Sequence, residues 1–291
     1  MPIFQPIKDK IRSLKEEYDR LKRVKESLLK LVSESEISES VYNSNAIENS
    51  TLTLPETEKI LLEMEVSKNV SLREVFEAKN LARVMEYISS KAKTEDLTKE
   101  TILFLHNMLM SNINDSITGR FRNRNEFVRV GSFIASPPEH IENRIEKLLL
   151  EYSSNQDKYF LEKISDFHLE FETIHPFVDG NGRIGRVIIN YQLIRLGFPE
   201  IIIRNKEKKE YYSAFSQFQN DKNVRLMEKI ISLSLIESLN KRITYLKGQK
   251  IITAVEYANQ TGKPVPIVLN AAKRQTIPAF REKGKWKIGI E

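Results

Sequence analysis

The stretch HPFVDGNGRIGR, His175 to Arg186, decides how this chain is read. Within it GNGRIG, Gly180 to Gly185, formally matches the glycine spacing of dinucleotide-binding folds. That motif needs a strand before it and a helix after it. Here the preceding segment, 158–174, has a helical period: Phe160, Ile164, Phe167, Phe171 and Ile174 recur at three- and four-residue steps. The following RVIINYQLIRLG is apolar nearly all round, which predicts a central buried helix. Gly197 is its expected C-terminal cap, with Pro199 close behind. The stretch therefore reads as a loop between two helices, not as part of a βαβ unit.

Such a loop has a chemistry of its own. Gly180 and Gly182 free the backbone to turn N–H groups inward, and the N-terminus of the next helix favours anions. Arg183 and Arg186, three apart, project from one side of the first turn, where two guanidinium forks suit phosphate oxygens. Asp179 offers a hard oxygen of the kind that holds Mg²⁺ together with substrate phosphates. His175, with an ordinary pKa of about 6.5, is suited to take a proton near neutrality. Together these groups point to phosphoryl or nucleotidyl transfer, where positioning and charge neutralisation dominate. Each residue alone has a plainer reading: a histidine cap, a glycine turn, a surface ion pair. The joint spacing carries the inference. His168 lies seven residues before His175, roughly 10 Å along a helix at 1.5 Å per residue, too far to share a zinc ion. HLEFETIH is not HExxH either, so His168 reads as structural.

Outward from the loop, glycine and proline are sparse, 10 each in 291 residues, and long stretches carry helical spacing, so the fold class is mainly α. The absence of cysteine excludes a disulfide scaffold and a cysteine-based zinc site. The opening MPIFQPIKDKIRSLKEEYDRLK is charged almost at once and has no apolar core, so no signal peptide is expected. With no apolar run near the roughly 20 residues of a membrane span, the expectation is a cytoplasmic protein with no membrane partner. A net charge of +6 permits anionic partners without requiring one. Ile7 to Leu31 reads as one exposed or pairing helix. NSTLTLP, Asn49 to Pro55, marks a break, with Thr53 capping the next helix and Pro55 in its first turn. GRFRNRNEFVRVGSFIASPP, Gly119 to Pro138, reads as a short hairpin or flap, and Ile141 to Leu150 resumes helix.

HPFVDGNGRIGR resembles the signature of the Fic family, HPFx[D/E]GNGRxxR, with every defined position met. Similarity of layout runs from about Tyr42 to about Ile236. The resemblance implies a Fic-type helical bundle with a β-hairpin flap, and transfer of AMP from ATP, with Mg²⁺ or Mn²⁺, to a Ser, Thr or Tyr hydroxyl of a target protein. Carried over by position, His175 would deprotonate the hydroxyl and Asp179 would hold the metal. Asn181 and the amides around Gly180 and Gly182 would form the anion hole for the α-phosphate. Arg183 would bind the β-phosphate, Arg186 the γ-phosphate, and Phe177 would anchor the loop. The flap, with Val128 and Val130, would align an extended target segment through main-chain hydrogen bonds; an ordinary surface hairpin is the alternative. In KKEYYSAFSQFQ, Tyr212 and Gln219 match a base-pocket segment, though many relatives carry Asn at the second position; plain amphipathic packing is the alternative. SNAIENS fits the inhibitory pattern [S/T]xxxE[G/N] over Ser44 to Asn49. By resemblance Glu48 would pair with Arg186 and displace the γ-phosphate; a capped surface helix is the alternative.

At the C-terminal end, Thr253 is expected to cap a short helix through Ala258, with a turn at Thr261 and Gly262 and a second helix from Val265 to Lys273. TIPAFREKGKWKI reads as two short strands around Lys283 and Gly284. This resembles the winged helix-turn-helix of excisionase-like modules. Lys273, Arg274, Arg281, Lys283, Lys285 and Lys287 would then present a basic face to DNA, and protein docking is the alternative. The expected parse is 1–98, an N-terminal helical region with an inhibitory helix at about 37–49; 99–246, the catalytic core; and 247–291, the winged module. The leading expectation is a self-inhibited protein AMP-transferase. The alternatives are a Fic-type enzyme with another nucleotide donor or AMP-removing activity, a DNA-binding regulator carrying a Fic domain, and an inert phosphate-binding scaffold. The target protein and the question of a homo-oligomer stay open.

Overall fold

The structure is a computed structural model, and residues 5–67, 69–131, 133–155 and 157–291 are described. The chain divides into two compact units: 37–198 with 203–228, and 1–36 with 199–202 and 229–291. This division cuts the sequence elsewhere than at 98 and 246.

The first helices are α1 (Gln5–Lys22) and α2 (Glu26–Ile47). The single helix expected over Ile7 to Leu31 is therefore broken at residues 23–25, where Lys25 N–H bonds the Lys22 carbonyl at 3.0 Å. No glycine or proline marks that turn in the sequence. The α2 helix also absorbs the segment expected at 37–49 and stops at Ile47, one residue short of Glu48, with Asn49 at φ +70°.

In the larger unit, α3 (Leu54–Glu58) starts from Thr53, whose hydroxyl accepts from Glu56 N–H while the Glu56 carboxylate accepts from Thr53 N–H. The Thr53 cap with Pro55 in the first turn is as expected, and the reciprocal bond from Glu56 adds to it. A π-helical turn (Lys59–Glu63) follows, then α4 (Leu72–Lys91) and α5 (Lys99–Met110). The flap is a pair of two-residue antiparallel strands, β1 (Arg129–Val130) and β2 (Phe133–Ile134). Val128 lies just outside β1, its carbonyl accepting from Ala135 N–H at 3.0 Å. Then come α6 (Ile141–Ser154), α7 (Phe160–Ile174), α8 (Asn181–Arg195) and α9 (Lys208–Asp221).

The central helix is α8: thirteen of its fifteen residues are buried. It ends as Gly197 predicts. Gly197, at φ +76°, donates to the Ile194 carbonyl, and Phe198 N–H reaches back to Leu193, so two terminal carbonyls are satisfied in one turn. Against α8 pack Phe167, Phe171 and Ile174 of α7, Leu105 and Leu109 of α5, and Leu81, Val84 and Ile88 of α4. Each such side chain contributes about 1.5–3 kcal/mol through burial. That core fixes the two ends of the loop between α7 and α8.

The smaller unit contains most of α10 (Arg225–Lys247) and ends in β3 (Lys250–Thr253), α11 (Ala254–Thr261), α12 (Val265–Lys273), β4 (Ala279–Glu282) and β5 (Lys285–Ile290). The strands form one antiparallel sheet in the order β3-β5-β4. Lys283 and Gly284 both have positive φ, +48° and +74°, the two-residue hairpin turn that matches strand twist. The α11 helix runs three residues past Ala258, to a left-handed cap at Gly262. The third strand, β3, was not expected. It is four residues long and is defined by its pairing with β5, from Lys250↔Ile290 to Thr253↔Lys287. The expected basic face is also thinner than six cations. Arg281 is held by both oxygens of Glu237 and lies 4.6 Å over the Trp286 ring, and Lys287 bonds Glu282 at 2.6 Å. Lys273, Arg274, Lys283 and Lys285 are exposed.

Candidate active site

His175 terminates α7 in the left-handed region, at φ +51° and ψ +63°. The bend turns the chain sharply toward α8. Arg122 holds it there: its buried guanidinium donates to the carbonyls of His175 (2.8 Å), Ser136 (2.7 Å) and Glu126 (2.8 Å), tying the loop to the stem of the flap. Phe177 is fully buried and stacks on His106, with ring centroids 3.7 Å apart. His106 Nδ1 accepts from Gly119 N–H, so its Nε2–H faces the Asp179 carbonyl at 3.1 Å. Burial holds the His106 imidazole down at about 4, which keeps that neutral tautomer.

The Asn181 side chain also braces the loop. Its Oδ1 accepts from Phe177 N–H at 2.9 Å and its Nδ2 donates to the Phe177 carbonyl at 2.8 Å. Both ends of the amide thus help close the loop, and Nδ2 keeps a second N–H. Gly180, at φ +84°, is where the backbone turns into α8, and a Cβ there would meet Leu109 at 3.1 Å.

The two arginines of the first α8 turn are buried and already paired. Arg183 Nη1 lies 3.1 Å from Glu77, and its Nη2 lies 3.1 Å from Asp179. Asp179 also accepts from its neighbour Gly180 N–H at 2.6 Å and pairs with Arg73 of α4. Burial acts to raise the Asp179 carboxyl, but Arg183, Arg73 and that N–H outweigh it and hold it below the ordinary value. Arg73 in turn bonds Glu77 at 3.0 Å, closing a ring of alternating charges.

Arg186 lies 2.9 Å from Glu48 Oε1 through Nη1, and donates to the Ser44 hydroxyl (3.0 Å) and the Ser44 carbonyl (2.8 Å). Behind it Tyr211 Oη lies 3.4 Å from Nη1 and 2.8 Å from His168 Nε2. Burial works against the guanidinium charge, yet Tyr211 and Glu48 push its pKa above the usual arginine value. His168 is buried, and burial with the nearby Arg186 pushes it down to about 3, in keeping with a structural role. A Cβ built on Gly182 would overlap the Glu48 carboxylate. Glu48 therefore lies over the glycine turn at the N-terminus of α8.

The loop residues from His175 to Arg186 thus converge with Ser44 and Glu48. Tyr212 donates to the Ile47 carbonyl at 3.1 Å, and Gln219 is exposed two turns further along α9. Arg73, Glu77, His106 and Arg122 had no signature in the sequence; only their approach in space reveals them. A divalent cation fits this donor set in one way. Among the described residues no group of three or more His, Cys, Asp or Glu is arranged to hold a metal, so Asp179 would supply one hard oxygen and substrate phosphates the rest.

Residues 96–193 match the Fic/DOC family. The chain is 29% identical over 290 residues to a protein of Drosophila sechellia named protein adenylyltransferase Fic, an alignment covering 96% of this chain and 58% of that protein. It is 31% identical over 182 residues to the protein of that name from Nematostella vectensis, covering 61% of this chain and 42% of that one. The chain thus spans less than three-fifths of the length of these relatives. Among solved structures, it superposes on a Fic domain-containing signaling protein from Bacteroides thetaiotaomicron with a TM-score of 0.74 and 27% identity, over 83% of this chain and 98% of that one. Residues 96–193 thus match the Fic/DOC family within a mainly helical chain that is similar to proteins named protein adenylyltransferase Fic.

Proposed function

We propose that this chain is a protein adenylyltransferase held in check by its own Glu48. The observation that carries this reading is the Glu48 carboxylate, 2.9 Å from Arg186 and lying over Gly182. A carboxylate there occupies the place and the charge that a terminal phosphate would take. With Glu48 withdrawn, backbone N–H groups from Gly180 to Gly182, Arg183 and Arg186 would grip the polyphosphate. Asp179 would hold Mg²⁺ or Mn²⁺, which neutralises phosphate charge when bound. The acceptor hydroxyl of a target Ser, Thr or Tyr, laid along the flap at Val128 and Val130, gives its proton to His175. Its oxygen bonds the α-phosphorus as pyrophosphate leaves with the electrons of the broken bond. Tyr212 and Gln219 would border the base. The helix pair and sheet of residues 250–290 are read as a winged-helix-like docking element.

The test is intact-mass measurement of Glu48→Gly incubated with Mg²⁺ and each nucleoside triphosphate in turn. Addition of one AMP with ATP, above the wild-type level and lost in Glu48→Gly/His175→Ala, is the expected result. Another added mass would reassign the donor. No addition with any nucleotide would remove the transferase reading.

A further inference from the structure

Glu172 lies on α7 one turn before His175, and its side chain is 10% exposed. Its Oε2 lies 3.6 Å from His175 Nδ1. This is just beyond hydrogen-bond range, and contacts to catalytic groups are often long before substrate arrives. Neither Glu172 Oε1 nor His175 Nδ1 has a hydrogen-bond partner. A buried carboxylate left unpaired is costly, so its retention needs a cause. Its neighbours are engaged elsewhere or, like His168 Nδ1, are also without a partner. His168 on the same helix is kept neutral and bonds Tyr211 through Nε2. Arg186 on α8 is already engaged by Glu48, Ser44 and Tyr211. The other titratable groups facing it are Tyr211 and Tyr212 on α9, while Arg122 binds the His175 carbonyl.

The fold also makes room for this carboxylate. A Cβ on Gly185 would come within 2.6 Å of Glu172 Oε1 and 2.8 Å of His168 Cε1. The glycine thus lets α8 pass closely over a buried charge.

We propose that Glu172 is the positioning residue for His175, holding the imidazole with Nδ1–H toward the carboxylate so that the Nε2 lone pair faces the acceptor hydroxyl. This rests on the reading of His175 as proton acceptor. During transfer the acceptor oxygen bonds the α-phosphorus, the bond to the bridging oxygen breaks, and pyrophosphate leaves with the electron pair. The hydroxyl proton goes to Nε2, and the resulting imidazolium is opposed by Glu172. The logic is that of a carboxylate behind a histidine base, which fixes tautomer and stabilises charge without itself taking the proton.

The test uses the full chain carrying Glu48→Gly, compared with the same protein plus Glu172→Gln or Glu172→Asp. Single-turnover transfer from ATP is followed between pH 5.5 and 9, and ATP-analogue affinity is measured separately. His175 is also titrated by NMR, its signal among the four histidines assigned by its loss in His175→Asn. Glu172→Gln should slow transfer by roughly 10²–10⁴-fold, keep analogue affinity within about twofold, and move the His175 midpoint to lower pH. Glu172→Asp should recover part of the rate. An unmoved His175 midpoint, an unchanged rate, or joint loss of analogue binding and rate would overturn the assignment. A moved midpoint in a protein that transfers nothing from any nucleotide would instead overturn the adenylyl-transfer reading and leave the contact standing.

Discussion

The Arg186 guanidinium spends its three faces on one turn of chain: Nη1 lies 2.9 Å from Glu48, Nε bonds the Ser44 hydroxyl at 3.0 Å, and Nη2 bonds the Ser44 carbonyl at 2.8 Å. The carbonyl contact survives any side-chain change, but the other two do not. Under the proposed self-inhibition, Ser44→Ala should therefore loosen this contact less than Glu48→Gly. A hydrogen bond to a charged group contributes about 1.5–3 kcal/mol, so Ser44→Ala should tighten ATP-analogue binding by roughly tenfold, and Glu48→Gly by more. Equilibrium titration of the two variants checks the order; Ser44→Ala exceeding Glu48→Gly would contradict it.

Arg73 occupies Asp179 from the α4 side, and Arg183 from the α8 side. In the proposed reaction, a cation arriving with phosphates would meet a carboxylate already paired with two arginines. Arg73 is 58% exposed, so its pair is screened and weak, about 0–1 kcal/mol. Arg73→Ala should strengthen Mn²⁺ binding in the presence of an ATP analogue by a few-fold at most. Asp179→Asn should weaken it by much more. Paramagnetic titration of Mn²⁺ reads both without reference to turnover.

Two buried imidazoles, His168 at about 3 and His106 at about 4, have folded-state pKa values below the unfolded value of about 6.5. Below pH 6.5 the unfolded chain binds protons that the folded one refuses, so this contribution is complete above pH 6.5 and is lost as pH falls toward 4. The slope reaches about 1.4 kcal/mol per pH unit for each histidine. Urea unfolding between pH 7 and 4.5 should show this loss, with a shallower slope in His168→Asn.

Gly185→Ala places a methyl 2.6 Å from Glu172 Oε1 and 2.9 Å from His168 Nδ1. Overpacking of this kind costs about 1–3 kcal/mol. Adding Glu172→Ala should return part of that loss by removing the nearest atom. Thermal unfolding of the single and double variants measures the coupling; strict additivity would show that the glycine does not make room for the carboxylate.

The helix–loop–helix frame from His175 to Arg186 was legible because its signals are local: glycines in the bend, a helical period before it and an apolar run after it. The caps at Thr53, Gly197 and Thr253 were legible for the same reason. Arg73, Glu77, His106 and Arg122 were not. They reach the loop from α4, α5 and the flap stem, and nothing in their own neighbourhoods distinguishes them from ordinary surface charges. The β3 strand was missed because four residues carry too little periodicity, and its definition comes from β5, which follows it by some thirty residues. The break at 23–25 was missed because a turn without positive φ needs no special residue. The split of the six C-terminal cations depends on Glu237 and Glu282, whose approach to Arg281 and Lys287 only folding reveals.

Asn181 clips the backbone of Phe177 at both its N–H and its carbonyl, using groups of the chain itself. The cradle is preorganised: the conformational entropy of shaping it is lost when the chain folds, not when a guest arrives. Under the proposed self-inhibition, control of the site would require no remodelling of the bend. The Glu48 carboxylate, just beyond the last turn of α2, would be the only group that has to leave Arg186.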